Sequence, residues 1–198
     1  MITAAACVVI AGATLAACGS SKGSAGSTTT SVSSSPSSSS TPSTSHCTAK
    51  AVTAKAKKAT MTVSPGTCLH DGSVVKISGR GFAPKALGGL SECNSESGQP
   101  TVSIEGNKVP VGCTNPLTKT LSISSSGTLQ ATFTIKTGVV GPPANGTDSA
   151  GHKAAADARS YPCPPTSKQA SGGATCGISI GDSGGDQVTV PLSFAPGS

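Results

Sequence analysis

The residues of this 198-residue chain that could do chemistry fall into three groups. Gly177-Ile178-Ser179-Ile180-Gly181 fits the pattern Gly-x-Ser-x-Gly. Such a serine becomes an acyl-transfer nucleophile when it sits on a sharp turn from strand to helix, with its hydroxyl clear of the sheet. Here Ile178 and Ile180 alternate with small residues as in a plain strand, and Asp182-Ser183-Gly184-Gly185 follows as a turn rather than a helix. His70-Asp71 has the composition of an acid–base dyad, but Asp71-Gly72 is first a turn signal. The third group is cysteine, with eight in the chain. No set of residues supports catalysis, so a non-enzyme is expected, and its chemistry reduces to what the thiols do.

The thiols divide by position. Leu15-Ala16-Ala17-Cys18-Gly19 resembles the bacterial lipobox, in which the Cys is acylated and becomes the first mature residue. It closes an apolar run from Ala4 to Ala17 that reads as a secretory signal over residues 1–17. The run is too short to span a bilayer as a helix. Cys7 leaves with the signal and Cys18 takes a palmitate-type lipid. The expected location is therefore the extracytoplasmic face of the cell membrane, with the membrane as partner through that lipid. Six cysteines remain: Cys47, Cys68, Cys93, Cys113, Cys163 and Cys176. In an exported chain they imply three disulfides, with fifteen pairings open. No Cys-x-x-Cys spacing is present, and His46, His70 and His152 read as surface residues, so no metal and no cofactor is expected.

Charge and composition narrow the partners. Residues 19–46 are almost all Ser, Thr, Gly, Ala and Pro, too poor in apolar surface to offset their ordering entropy. A disordered stalk over 18–59 and a folded domain over 60–195 are expected. The domain's nine basic residues against eight acids leave one positive charge; the rest of the excess lies at Lys22, Lys50, Lys55, Lys57 and Lys58. A nucleic-acid-binding fold carries its cations on the fold, among aromatics. With no Trp, one Tyr and three Phe, direct nucleic-acid binding is not expected.

The elements that must position these residues are short strands. Period-two segments and turn signals recur about every ten residues, the mark of a sandwich or barrel. Met61–Val63, Ser73–Arg80 and Leu87–Cys93 come first. Thr101–Ile104 and Val109–Cys113 form a hairpin about Gly106-Asn107. Leu117–Ile123, Leu129–Ile135, Cys176–Ile180 and Val188–Phe194 follow. Residues 138–175 carry no strand pattern; such loops tend to be functional. His152–Arg159 is its one helix-friendly piece. Phe82, Phe133 and Phe194 are expected in the core.

Taken in order, Thr62-Val-Ser-Pro-Gly66, Asp71-Gly-Ser-Val-Val-Lys-Ile-Ser-Gly79, Gly88-Gly-Leu-Ser-Glu-Cys93 and Cys176-Gly-Ile-Ser-Ile-Gly-Asp182 resemble the neocarzinostatin family. The resemblance spans about residues 61–195. It implies an all-β, seven-stranded, immunoglobulin-like antiparallel β-sandwich, stapled by disulfides, with a cleft at one end. Family members are apoproteins of a DNA-damaging enediyne chromophore. Carried over by residue, the resemblance implies Cys93–Cys113 and Cys163–Cys176, and Cys47–Cys68 remain for a third bond. Each loop, of roughly 13–21 residues, is worth about 3 kcal/mol in the chain-entropy model.

The same resemblance places Cys93, Asn94, Cys113, Leu117, Tyr161, Gly177 and Gly181 at the cleft. Asn94 and Ser95 stand where a family Trp is expected, and Leu117 and Thr118 where a Phe is expected. A cleft so short of rings offers a ligand methyl groups and a disulfide, so stacking on a flat chromophore is weakened. The expectation is a monomeric carrier of a small apolar molecule. The competing expectation is a cell-surface structural or adhesion domain with a vestigial cleft.

Overall fold

The computed structural model describes residues 47–198. The signal sequence, Cys18 and the stalk up to residue 46 lie outside the described residues. The described residues form an all-β, disulfide-stapled fold. One four-stranded antiparallel sheet has the order β1 (Val52–Ala56), β2 (Ala59–Ser64), β3 (Val74–Arg80), β8 (Leu129–Thr134). The other has the order β10 (Gln187–Leu192), β9 (Cys176–Asp182), β4 (Leu87–Asn94), β7 (Thr120–Ser122). β5 (Thr101–Ile104) and β6 (Asn107–Pro110) form a separate hairpin.

Alternation builds the core. Ala59, Met61 and Val63 of β2, Val75 and Ile77 of β3, Ile178 and Ile180 of β9, and Val188 and Val190 of β10 are all buried. Their neighbours along each strand point outward, as the two-residue period requires. Phe82 is buried in this core, and Phe133 and Phe194 pack half-buried against it. The two sheets are linked along one side. Leu69 N–H donates to Ser193 O at 3.1 Å, and Ala195 N–H donates to Leu69 O at 2.8 Å.

The two sheets hold eight strands between them, one more than the seven expected. The addition is β1, in a stretch that composition assigns to the stalk. Val52, Ala54 and Ala56 lie half-buried on one face of β1 while Thr53 and Lys55 are exposed. A tight turn, with Lys57 in the left-handed region at φ 52°, returns the chain so that Val52 pairs with Val63. The lysines obscure this strand, because they occupy its solvent face and its turn. The folded part thus begins by Cys47, bonded to Cys68, and not at residue 60.

Other boundaries shift for local reasons. The hairpin turns at Glu105-Gly106, both at positive φ (48° and 82°), one residue earlier than expected. That is the two-residue turn whose twist matches the strands. Pro116–Lys119 is a 3₁₀ turn rather than strand, started by Asn115, whose Oδ1 accepts Leu117 N–H at 2.8 Å. Within 138–175 lie two short helices, α1 (Ala154–Asp157) and α2 (Ser167–Ser171), and a 3₁₀ turn, Ala158–Ser160. Ala154 and Ala158 bury against Val102, Ile104 and Val111, giving the hairpin and the long loop a small core of their own.

Candidate ligand-binding face

The outer face of the β10-β9-β4-β7 sheet is built from very small side chains. Leu90, Glu92 and Asn94 of β4 turn inward and are buried. Gly89, Ser91 and Cys93 therefore turn to the other face, where Gly89 and Cys93 are half-buried and Ser91 is buried, 8% exposed. In β9 the outward set is Gly177, Ser179 and Gly181. Register puts the two sets side by side: Gly89 with Gly181, Ser91 with Ser179, Cys93 with Gly177. β10 completes the rows with Gln187, Thr189 and Pro191.

The borders of this face come from other elements. Along β4, the turn holding Pro116 and Leu117 packs over Gly89, where a Cβ would stand 3.0 Å from Pro116 O. Leu117 itself is 44% exposed. At the far end Cys93 bonds Cys113, with a Cα–Cα distance of 4.0 Å. Tyr161 stands beside it, its Cβ only 2.6 Å from where a Cβ on Gly112 would lie. Burial, and after it the Asp157 and Glu96 carboxylates, push the Tyr161 phenol up, so it stays neutral. None of the nine side chains in the paired rows is ionisable outside the oxidised Cys93, and the face carries no charge of its own.

The residues expected at a cleft are thus partly assembled. Cys93, Cys113, Gly177 and Tyr161 meet at one end, Leu117 lies at the side, and Gly181 is further along β9. Asn94 is not among them. It is 1% exposed, its Nδ2 donates to Pro162 O at 2.7 Å, and its Oδ1 accepts Glu96 N–H at 2.8 Å. Its amide knits the loop to β4, because strand alternation turns it away from the outer face. Two hollows among the described residues lie elsewhere. One of about 190 Å³ lies between Ser95–Ser97 and the end of α2, and a groove of about 600 Å³ crosses Lys76, Ser78, Gln130 and Thr132 of the other sheet.

The disulfides are Cys93–Cys113 and Cys163–Cys176, the two pairs that the family resemblance implies, and Cys47–Cys68, the pair left over. Neither nucleophile pattern is assembled. Ser179 sits mid-strand, its Oγ 2.7 Å from Thr189 Oγ1, with no helix after it. His70 Nδ1 lies 2.9 Å from the backbone oxygen of Asp71, and the Asp71 carboxylate instead accepts Thr137 N–H. Gly89 and Ser91 carry no motif, and Ser179 matches only the nucleophile pattern. Alternation along β4 and β9, counted inward from Leu90 and Ile180, is the signal that finds them.

This arrangement defines a class: a disulfide-stapled all-β sandwich with one uncharged, small-residue sheet face bordered by an aromatic loop. Two solved structures similar to it are macromomycin and apokedarcidin, both of the neocarzinostatin family. Macromomycin is 20% identical, with a TM-score of 0.43, over 69% of this chain and 99% of its own. Apokedarcidin is 20% identical, with a TM-score of 0.40, over 70% of this chain and 99% of its own. No family model and no curated protein matches the sequence.

Proposed function

We propose that this chain is an exported, lipid-anchored, non-catalytic binding module. It holds a small, uncharged, mostly apolar molecule against the outer face of β9 and β4. Gly181 carries the reading. Glycine weakens a strand interior, and where it persists it often marks close approach of a ligand or another backbone. Gly89 and Gly177 have internal reasons, since Pro116 and the β10 backbone crowd their missing Cβ atoms. Gly181 has nothing within 4 Å of its missing Cβ, and its φ lies outside the left-handed region. An approach from outside the fold accounts for it. Lipobox residues Leu15–Cys18 and the three disulfides support export and anchoring.

The test uses an uncharged planar probe, naphthalene, titrated into isotopically labelled protein. Shifts should cluster on the backbone amides of Ser91, Cys93, Ser179 and Gly181, and Gly181→Val should abolish them without lowering Tm by more than a degree or two. Shifts confined to the 600 Å³ groove, or unchanged in Gly181→Val, reject the site. Mass spectrometry of the mature N-terminus decides the anchor: a diacylglyceryl adduct on Cys18 supports it, and an unmodified thiol refutes it.

A further inference from the structure

The segment that precedes and includes α1 places three ligating side chains together. Asp148, His152 and Asp157 each offer a donor atom, and these atoms lie within 4.8 Å of one another. His152 Nδ1 is 3.1 Å from Asp157 Oδ2. The main chain returns on itself to make this possible: Asp148 N–H donates to His152 O, and Thr147 bridges Lys153.

Asp148 is the informative member. It is only 7% exposed. Its Oδ1 is consumed by the turn, accepting Ala150 N–H at 2.9 Å and His152 N–H at 3.2 Å. Its Oδ2 is buried with no hydrogen-bond partner among the described residues. A buried carboxylate oxygen left unpaired is costly unless a cation or a hydrogen-bond donor meets it. No Lys or Arg side chain forms an ion pair with Asp148 among the described residues. The turn explains one oxygen of this side chain and leaves the other for something the chain itself does not supply.

We propose that Asp148, His152 and Asp157 bind a divalent first-row transition metal of the Zn²⁺ class. The donor set selects it. One imidazole with two carboxylates suits Zn²⁺ and its neighbours, whereas Ca²⁺ wants six to eight oxygens. Tetrahedral Zn²⁺ with bonds of about 2.0–2.1 Å holds its donors about 3.3 Å apart. The His152–Asp157 pair is already near that spacing at 3.1 Å, and Asp148, whose donor lies within 4.8 Å of both, needs to close by at most about 1.5 Å. The side chains of His152 and Asp157 are 63% and 25% exposed, so the cation has an entry path and a fourth position for water. Because Asp148 precedes α1 and Asp157 ends it, the metal clips the segment that packs Ala154 and Ala158 onto the hairpin.

The experiment titrates the full chain, with the Cys7 and Cys18 thiols alkylated, with ZnCl₂ and separately with CaCl₂, read by calorimetry and by Tm. The six described cysteines are all in disulfides and offer no competing thiolate. One equivalent of Zn²⁺ should bind saturably, raise Tm with concentration, and outcompete Ca²⁺. His152→Ala and Asp157→Asn should each weaken binding at least about tenfold, with the metal-free Tm nearly unchanged. Asp148→Asn serves as the third variant, with its metal-free circular dichroism separating a lost turn from a lost ligand. No saturable Zn²⁺ binding, or binding that survives both His152→Ala and Asp157→Asn, overturns the site.

Discussion

Glu92 Oε2 accepts the backbone N–H of Lys136 at 2.9 Å from inside the sandwich, where Glu92 is fully buried. Glu92 is also tied at its backbone, its N–H donating to Thr114 Oγ1 and its O accepting Thr114 N–H. One buried carboxylate thus anchors the point where β8 runs out into the long loop. Its other oxygen, Oε1, has no partner among the described residues. Burial pushes its pKa from 4.5 up to about 7, with the Lys136 N–H and charge opposing and Asp71 adding.

The sign of the resulting pH dependence follows. Between pH 4.5 and about 7 the folded protein binds more protons at Glu92 than the unfolded chain does. Stability should therefore fall as pH rises through that window and level off above it. The full effect has an upper size of about 3 kcal/mol. Glu92→Gln keeps an acceptor for Lys136 N–H and should raise stability at pH 8 by up to that amount, with almost no effect at pH 4. Urea denaturation at the two pH values checks it; an equal effect at both rejects the assignment.

Replacing Cys163 and Cys176 together by Ala should cost about 3 kcal/mol, from a closed loop of 13 residues. Since Gly138 and Cys163 bridge each other's backbones, amide exchange at both should accelerate beyond the global change. Cysteine-pair removal that leaves exchange there protected contradicts a pinning role.

Gly141 packs directly on the carbonyl oxygen of Val111, leaving no room for a Cβ. Gly141→Ala should destabilise by about 1–3 kcal/mol by overpacking. Its effect should concentrate on the hairpin and α1, and nuclear magnetic resonance shifts mapped along the chain would locate it. Gly138→Ala introduces no overlap, though its φ of 79° brings conformational strain, so the two variants separate crowding from backbone preference.

Val52→Asp should destabilise by about 1–3 kcal/mol, because Val52 is half-buried against the core and its Cγ2 fills the space where a Cβ on Gly66 would stand, 2.8 Å away. Lys55→Asp, on the exposed face of the same strand, should change stability by about 0.5 kcal/mol or less. Equal effects would place β1 outside the sandwich. Chemical denaturation measures both.

Much of the fold was legible because alternation is a local property. Val75 and Ile77, Ile178 and Ile180, and Val188 and Val190 declare their inward faces without knowing their partners. β1 was hidden because Ala54 and Ala56 are weak apolar signals between lysines. The site was less legible. Asn94 and Cys93 are chain neighbours, yet only one of them can face outward.

By itself the sequence determined the class of fold, its three staples and the position of the long loop, since period-two patterning, cysteine number and turn residues act over a few residues. Only the tertiary structure decided that Glu92 and Asp148 each carry a buried unpaired oxygen, and that Gly181 faces open space. Those facts depend on what lies opposite a side chain, and what lies opposite comes from strands, turns and loops distant in sequence.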